Sequence, residues 1–515
     1  MVTTLDINKL PFSRYGSFIT ISRVPGKEGL FLRSVRGGDF GSDRGVIFEI
    51  APISLQGTEL DYDVLMKPEE LTLRTVQGII RFCLVDQDLV AIHGEGVTLA
   101  LRRKSGRYDN VVKTASQIFR VNCAGPDLRF TVASLTGEVV CNAPWQDDRS
   151  TEIELELHPG ADNTFYVVMQ EFVGASSTPK MIRDSLEGLL CYDTQVQNVA
   201  ESYDAWRKKV LPVSDVYEKG RDIASYITWS CVVPPSGTLT RPAMYMSKNW
   251  MTNIWSWDNC FNALALAKNN PELAWDQLMI FFDLQDTSGM LPDFANDKYV
   301  YYSFTKPPIH GWTLSLLLQE NPGFFGHRLG EIFPQLEKLT NYWFDYTDYS
   351  GRGMPSYNHG NDAGWDNSTI FAGGVPVAGP DLLAFLIVQM DVLALVAGRL
   401  GLEEKASYWE RRANESLELL LTRYWNGKAF SVPDRSTVGD SLIAFMPLIL
   451  GERLPKETIQ KLVSGLQEED RFLTPYGLAT ESISSEFYRA DGYWRGPIWA
   501  PSTMLIVNAL ERCGE

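Results

Sequence analysis

The segment "NDAGWDNST", residues 361–369, places two carboxyl groups on either side of an indole. Asp362 and Asp366 flank Trp365, and small or polar residues surround all three. An apolar ring beside a carboxyl favours the neutral acid, so such a group can remain protonated near neutral pH. The residue types and their spacing therefore predict acid–base chemistry carried out by carboxyl groups.

Four segments have the same polar and aromatic character. They cover residues 249–262, 289–312, 358–369 and 476–499, and each contains at least one carboxylate and at least two aromatic rings. Aromatic faces stack on the apolar C–H face of a pyranose, and carboxylates accept hydrogen bonds from its hydroxyl groups. Loops on a rigid scaffold commonly carry binding and catalytic residues. The segments together predict a carbohydrate site, and glycoside hydrolysis needs two carboxyl groups around the scissile bond.

Several of these residues have a structural interpretation as well. Trp275 lies in a helical pattern and is expected in the core, whereas four other tryptophans are expected in the cleft: Trp255, Trp257, Trp494 and Trp499. Asp258 either caps a helix or serves the site, since Asp is a preferred N-cap residue. A lone His310 more often makes a structural hydrogen bond. Arg495 either pairs with a structural carboxylate or orients a catalytic one.

Composition excludes several classes of partner and cofactor. The chain of 515 residues has a net charge of −17, which argues against nucleic acids and anionic membranes because both need a basic surface. No cluster with metal-ligand spacing and no phosphate-binding or dinucleotide fingerprint occurs, so no metal or cofactor is predicted. A small carbohydrate is the predicted partner, and the oligomeric state stays open.

The location is expected to be cytoplasmic. The N-terminus has no apolar signal-peptide region, and the seven cysteines are scattered without a C-x-x-C pair. The longest apolar run, residues 382–398, contains Gln389 and Asp391. It therefore predicts a buried helix and not a membrane span.

The spacing of hydrophobic residues along the chain changes from that of strands to that of helices and divides the chain into three regions. Residues 1–175 contain many short β-branched or aromatic runs and predict an antiparallel β-sandwich domain. Residues 176–225, with "MIRDSLEGLL" and "VAESYDAWRKKV", predict a helical linker. Residues 226–515 contain about ten helical patterns joined by short connections, which predict a helical toroid or bundle that positions the aromatic loops.

Three motifs in order, "WSWDNCFNALAL", "AGWDNS" and "YWRGPIW", resemble the inverting glycoside hydrolases of family 63. That family includes processing and bacterial α-glucosidases and mannosyl- or glucosylglycerate hydrolases, and trehalases are more distant relatives. The resemblance covers about residues 240–515. It implies an (α/α)6 catalytic toroid preceded by a β-sandwich, in agreement with the two hydrophobic periods.

The resemblance also implies roles for particular residues. Asp366 matches the family's general acid, and Asp362 stands where the family has a Glu. The residues predicted to bind substrate are Trp257, Asp258, His310, Trp312, Asp362, Trp365, Trp494, Arg495, Gly496 and Trp499.

The general base is where this sequence departs from the family. The family's base is a Glu beyond the "YWRGPIW" helix, and this chain ends at Glu515 directly after that helix. We therefore expect either a toroid truncated at its C-terminus or a different base, with Glu481 the candidate and Glu486 the alternative. The predicted function is hydrolysis of an α-glucosidic or α-mannosidic bond with inversion. The alternatives are a non-catalytic sugar-binding protein without a base and a phosphorylase of the same architecture.

Overall fold

The computed structural model describes residues 4–38, 45–174, 187–189 and 191–514. Two compact units are present: Met1–Ile254 with Asn296–Tyr299, and Trp255–Ala295 with Val300–Glu515. Most of the predicted helix "MIRDSLEGLL" lies outside the described residues, apart from a 3-10 turn at Glu187–Leu189. The predicted domain boundaries at residues 175 and 225 stay a prediction.

The first unit is built on two sheets in which neighbouring strands pair antiparallel. The six-stranded sheet has the order β1 (Ile19–Ser22), β2 (Leu30–Ser34), β3 (Val46–Ile53), β8 (Thr98–Arg103), β15 (Ile153–His158) and β12 (Glu138–Asn142). The eight-stranded sheet has the order β4 (Asp63–Met66), β5 (Leu71–Arg74), β6 (Ile79–Asp86), β7 (Leu89–Glu95), β16 (Thr164–Phe172), β11 (Leu128–Thr136), β10 (Ile118–Cys123) and β9 (Asn110–Ala115). A short hairpin joins β13 (Trp145–Gln146) to β14 (Arg149–Ser150).

The core of this unit lies between the two sheets. Phe48 of β3 meets Phe130 of β11 edge to face, with ring centroids 6.3 Å apart. Strand β15 alternates buried and half-buried residues, as expected when one face of a sheet packs inward. The predicted β-sandwich is confirmed.

Two helices complete the first unit: α1 (Tyr192–Lys209) and α2 (Glu218–Cys231), followed by the strand pair β17 (Val232–Val233) and β18 (Ala243–Met244). The buried hydroxyl of Tyr226 in α2 donates to the carbonyl of Pro11 at 2.8 Å and accepts from the amide of Ser13 at 3.0 Å. These bonds attach α2 to the start of the chain.

The second unit is helical, as predicted. Its α-helices are α3 (Asp258–Leu266), α4 (Pro271–Asp283), α5 (His310–Glu320), α6 (Pro322–Gly326), α7 (Leu329–Thr347), α8 (Pro380–Arg399), α9 (Glu403–Leu419), α10 (Lys456–Gln467) and α11 (Ala500–Cys513). Other helical segments are the 3-10 segments Gly360–Ala363, Thr369–Phe371 and Leu442–Arg453 and the π-turn Leu420–Tyr424. Strand β19 (Ile254–Trp255) precedes α3, and the remaining short strands are β20 (Phe294–Ala295), β21 (Val300–Tyr301), β22 (Leu473–Thr474) and β23 (Gly477–Leu478).

Helix α8 is largely buried in this unit. Among the described residues it is the one helix long and apolar enough to cross a bilayer, yet 78% of its most apolar window is buried within the protein. Gln389 at its middle accepts from the amide of Gly311 at 3.1 Å and donates to the hydroxyl of Thr340 at 3.0 Å. A buried amide with both ends paired is tolerated in a core, so α8 is the buried helix that the sequence predicts.

The first turn of α8 is attached to the chain that leads into the Asp366 loop. Asp381 is buried, and its Oδ2 accepts from the hydroxyl of Tyr357 at 2.8 Å. Burial raises the pKa of Asp381 to about 7. The backbone of Tyr357 pairs with Val377 through two hydrogen bonds of 2.8 and 2.9 Å. Both ends of the intervening loop are therefore fixed.

Candidate active site

The loop that carries Asp366 is shaped by Asp362. The Oδ2 of Asp362 accepts from the amides of Asn358 and His359 at 2.8 and 3.0 Å, and its Oδ1 accepts from the amide of Thr305 at 3.1 Å. Burial raises the pKa of Asp362, and these three amides oppose the rise. Asp362 therefore fixes the turn before Asp366, and its predicted contact with substrate stays a prediction.

Gly364 allows the chain to turn close under Trp257. Its φ is +68°, a left-handed conformation that suits glycine, and a Cβ there would lie 2.5 Å from the Cζ2 of Trp257. The turn directs Trp365 into the protein, where only 1% of its surface is exposed. A glycine in this position is thus required by both backbone and packing.

Four indoles from three segments of the chain meet at this loop. Trp494 is their centre, because its ring centroid lies 4.7 Å from that of Trp365, 4.5 Å from that of Trp499 and 6.3 Å from that of Trp257. Trp494 and Trp499 stack with 14° between their planes. The structure therefore brings together these four residues, which were predicted from three different motifs.

Asn367 anchors the "YWRGP" segment to the loop that carries Asp366. We call this loop, after the predicted acid, the acid loop. The Oδ1 of Asn367 accepts from the amide of Trp494 at 2.9 Å, and its Nδ2 donates to the carbonyl of Gly492 at 3.0 Å. Its carbonyl accepts from the Nε of Arg495 at 2.7 Å. Arg495 thus holds the backbone directly after Asp366 and orients the acid loop.

Tyr493 contacts the predicted acid directly. Its hydroxyl donates to the Oδ2 of Asp366 at 3.0 Å, and its backbone is left-handed with a φ of +64°. Burial and the negative charge of Asp366 raise the pKa of Tyr493 to about 12, so it remains a donor. This tyrosine was not selected from the sequence, although it lies within "GYWRGP".

Two further carboxyl groups lie within electrostatic range of Asp366. Burial raises the pKa of Asp258, the first residue of α3, to about 7, and the carboxyls of Asp293 and Asp366 add to that rise. The positive charge of the Lys306 ammonium group lowers the pKa of Asp258 and so opposes this rise. Burial likewise raises the pKa of Asp293. The site is therefore a cluster of three carboxyls with one lysine.

Lys306 is held in a buried network that also includes Asp293 and Asn361. Its Nζ lies 2.9 Å from the Oδ1 of Asp293 and donates to the carbonyl and the Oδ1 of Asn361 at 2.8 and 2.5 Å. The Nδ2 of Asn361 donates to the Oδ2 of Asp293 at 2.8 Å, which closes the network. The three residues were not predicted. The signal that could have found Lys306 is a lysine inside the apolar segment "TKPPI".

Glu481, the candidate base, is fully buried and held by three donors. Its Oε1 accepts from the amide of Asp440 at 2.8 Å and the hydroxyl of Ser485 at 2.6 Å, and its Oε2 accepts from the hydroxyl of Thr369 at 2.7 Å. Thr369 belongs to the 3-10 turn after the acid loop. The alternative base, Glu486, is exposed.

The remaining predicted residues have packing contacts. His310, buried at the start of α5, meets Phe282 edge to face at 5.3 Å, and burial lowers the pKa of His310 to about 3. Trp312 donates from Nε1 to the Oδ1 of Asn508 in α11 at 2.8 Å. At Gly496 a Cβ would lie 2.1 Å from the carbonyl oxygen of Arg489. Their contacts with substrate stay predictions.

The sequence model of the mannosylglycerate hydrolase MGH1-like glycoside hydrolase domain matches residues 251–515, just over half of the chain. The chain belongs to this family. The resemblance to family 63 glycoside hydrolases that three motifs indicated is thereby confirmed. Every residue described above in the site of this MGH1-like glycoside hydrolase lies within the matched range.

Two curated relatives of this chain are distant in sequence. A probable mannosyl-oligosaccharide glucosidase of Schizosaccharomyces pombe is 26% identical over 142 residues, which cover 25% of this chain and 18% of that protein. A mannosylglycerate hydrolase of Rubrobacter radiotolerans is 21% identical over 371 residues, which cover 54% of this chain and 82% of that protein. The chain thus spans less than a fifth of the glucosidase.

Among solved structures, a bacterial glucoamylase complexed with acarbose superimposes on the MGH1-like glycoside hydrolase with a TM-score of 0.60 and 11% identity. The superposition covers 100% of this chain and 87% of that chain. At this identity the likeness concerns the fold alone. It confirms a sheet-rich region followed by a glucoamylase-like (α/α)6 helical domain.

Proposed function

We propose that this chain hydrolyses an α-glucosidic or α-mannosidic bond with inversion of the anomeric carbon, with Asp366 as the general acid. The observation that carries the proposal is the environment of the Asp366 carboxyl. It receives a hydrogen bond from Tyr493, and its neighbours Trp365 and Asn367 are both fixed to the "YWRGP" segment. Membership of a glycoside hydrolase family supports the same reaction.

The geometry suggests which oxygen carries the transferred proton. The hydroxyl of Tyr493 donates a hydrogen bond to the Oδ2 of Asp366. The other oxygen, Oδ1, therefore holds the proton that passes to the glycosidic oxygen. As that proton transfers, the bond between the anomeric carbon and the leaving oxygen breaks. A water attacks the opposite face of the sugar, and its proton passes to a second carboxylate, so that an alcohol and an inverted hemiacetal are formed.

Glu481 is proposed as that second carboxylate. A carboxylate offers about four lone-pair sites, and three donors to Glu481 leave one of them, on Oε2, for a water. Because the side chain is fully buried, that water must enter with the substrate. The bond from Thr369 also connects Glu481 to the acid loop. A glutamate in this position would be held rigidly, as a base that must align a water needs to be.

Sugar recognition is proposed for the indole cluster and for Asp258. Trp499, which is half-buried, supplies apolar ring surface near Asp366, and the buried Trp494 and Trp365 pack behind it and hold it in place. With a pKa of about 7, Asp258 is protonated in part of the molecules at neutral pH and can then donate to a sugar hydroxyl as well as accept from one.

The test is hydrolysis of α-glucosides and α-mannosides, with the anomer of the first product resolved by NMR. We expect inverted product from the wild type, and Asp366→Asn should lower kcat by about 10²–10⁴-fold with an unchanged fold. Glu481→Gln should cause a comparable loss, and the control Glu486→Gln at an exposed position should cause none. Turnover by Asp366→Asn at the wild-type rate would refute the acid. Binding without turnover in the wild type would instead support a non-catalytic sugar-binding protein, and turnover only with inorganic phosphate a phosphorylase.

We also infer a cytoplasmic location. All seven cysteines, of which Cys83, Cys123, Cys231 and Cys260 are buried, are free thiols. Reducing compartments keep thiols in this state. Cell fractionation with an antibody against the chain tests the location, and recovery in an oxidising compartment would contradict it.

A further inference from the structure

A row of aromatic rings runs beside the carboxyl cluster. Successive ring centroids are 5.7 Å apart from Trp255 to Phe294, 4.8 Å to Tyr301, 6.3 Å to Phe304 and 4.9 Å to His359. We call these five residues the aromatic row. Its middle and far end reach solvent, because Tyr301 is 37% exposed and His359 is also exposed.

The aromatic row is attached to the network that supports the acid loop. Phe294 directly follows Asp293, Phe304 precedes Lys306 by two positions, and His359 precedes Asn361 by two. The carbonyl of Tyr301 accepts from the amide of Asp293 at 2.9 Å. Each residue of the row beyond Trp255 therefore lies within two positions of a member of the Lys306 network or is hydrogen-bonded to one through its backbone. The row and the acid are parts of one connected structure.

The chemistry of the row suits a neutral sugar ring. Aromatic faces stack on the C–H face of a pyranose, and Thr305, next to Phe304, has a buried hydroxyl without a hydrogen-bond partner in the part of the chain that the structure describes. A buried hydroxyl left unpaired is costly, and a sugar hydroxyl could satisfy it.

Lys306, the cation of the network beside the row, does not suit an anionic group. A lysine ammonium has three donors, and those of Lys306 face three acceptors, one on Asp293 and two on Asn361. Asp293, which pairs with Lys306, directly precedes Phe294 of the row. A glycerate carboxylate placed there would meet a carboxyl group and, among the described residues of this network, no ammonium donor left for it.

We propose that the aromatic row is a binding platform for a second, neutral sugar unit, so that the substrate is a di- or oligosaccharide and not a glycoside of an anionic acid. This inference rests on the proposed glycosidase function and specifies its substrate class.

The experiment compares substrates that share one glucosyl unit. They are α-glucosyl fluoride, which has no second sugar, the disaccharide kojibiose, and α-glucosylglycerate, with the corresponding mannosides as a parallel set. The wild type should have a higher kcat/KM on the disaccharide than on the glycerate glycoside. Tyr301→Ala should lower kcat/KM on the disaccharide by about three- to tenfold and leave the fluoride unchanged.

Two variants serve as controls. Tyr301→Phe retains the ring and should behave as the wild type. Tyr346→Ala removes another exposed tyrosine in α7, whose ring stacks on that of Tyr342 at a centroid distance of 5.7 Å. It should leave kcat/KM unchanged on both the fluoride and the disaccharide. Equal effects of Tyr301→Ala on fluoride and disaccharide, or a preference of the wild type for the glycerate glycoside, would overturn the proposal.

The proposed function can fail separately. If the wild type hydrolyses none of these compounds, the glycosidase assignment is refuted. Titration calorimetry of sugar binding then tests whether the aromatic row is a binding platform. Kojibiose should bind more tightly than glucose to the wild type, and Tyr301→Ala should remove that difference. Equal affinity of the wild type for glucose and kojibiose would overturn the row as a platform.

Discussion

Replacement of Asp381 by Asn should stabilise the helical unit in a pH-dependent manner. Asp381 is fully buried in the first turn of α8, and burial raises its pKa from 3.8 to about 7. The folded state therefore favours the protonated carboxyl. Well below pH 3.8 the carboxyl is neutral in both folded and unfolded chains, and it does not lower the free energy of unfolding. As the pH rises towards 7, the unfolded chain ionises first, and folded stability is lost.

The size of the effect follows from that shift. One pKa unit corresponds to about 1.4 kcal/mol, so ionisation of Asp381 costs the folded state at most about 4 kcal/mol above pH 7. An asparagine has nearly the same shape and can still accept from the hydroxyl of Tyr357. The variant should thus match the wild type near pH 4 and exceed its stability by up to about 4 kcal/mol at pH 8.

The assay is urea unfolding at several pH values, followed by tryptophan fluorescence. Ten of the 14 tryptophans lie in the second unit, so the signal reports mainly on the helices around α8. Asp258 also titrates near pH 7, but it is present in both proteins and cancels in the difference. The control is Asp345→Asn, an exposed aspartate in α7, which should give no pH-dependent gain. A stability difference for Asp381→Asn that does not change between pH 4 and 8 would refute the reasoning.

Three other substitutions have defined outcomes. Tyr493→Phe removes the donor to Asp366 and should lower kcat by about tenfold. This is the lower end of the range expected for the loss of a hydrogen bond to a charged group, because the tyrosine is half exposed. Unchanged kinetics would show that the bond has no catalytic role. Lys306→Met leaves buried acceptors unpaired and should lower the free energy of unfolding by about 3–5 kcal/mol, whereas the exposed Lys405→Met should cost about 1 kcal/mol or less; equal losses would contradict this difference. Gly364→Ala places a Cβ 2.5 Å from an indole carbon in a left-handed turn and should lower the melting temperature, and a wild-type melting curve would exclude the predicted clash.

Local patterns were enough to predict the main elements. The sandwich strands alternate in hydrophobicity, and α8 is apolar almost throughout. Each of these elements can therefore be predicted from a short window of residues. Trp275 follows the same rule, because it lies in a helical pattern and is buried in α4. Such assignments need no knowledge of distant contacts.

The supporting network of the site could not be predicted in this way. Asn361 and Asp293 are 68 positions apart, and Asn361 and Lys306 are 55 apart, so their association depends on tertiary structure alone. Tyr493 was missed because neither the type nor the spacing of a tyrosine beside a tryptophan identifies it as a donor to the Asp366 carboxyl. Asp362 was selected by its resemblance to a family position, yet its three amide contacts come from the shape of the loop.

The amide of Asn367 has a consequence for covalent modification. Asn367, Ser368 and Thr369 form an acceptor sequence for N-linked glycosylation. In the folded protein, however, its Nδ2 faces the carbonyl of Gly492 and its Oδ1 faces the amide of Trp494. A glycan on this nitrogen would separate the acid loop from the "YWRGP" segment. The folded site and an oligosaccharide at Asn367 are therefore mutually exclusive, and a host that glycosylates this position during production would yield inactive protein.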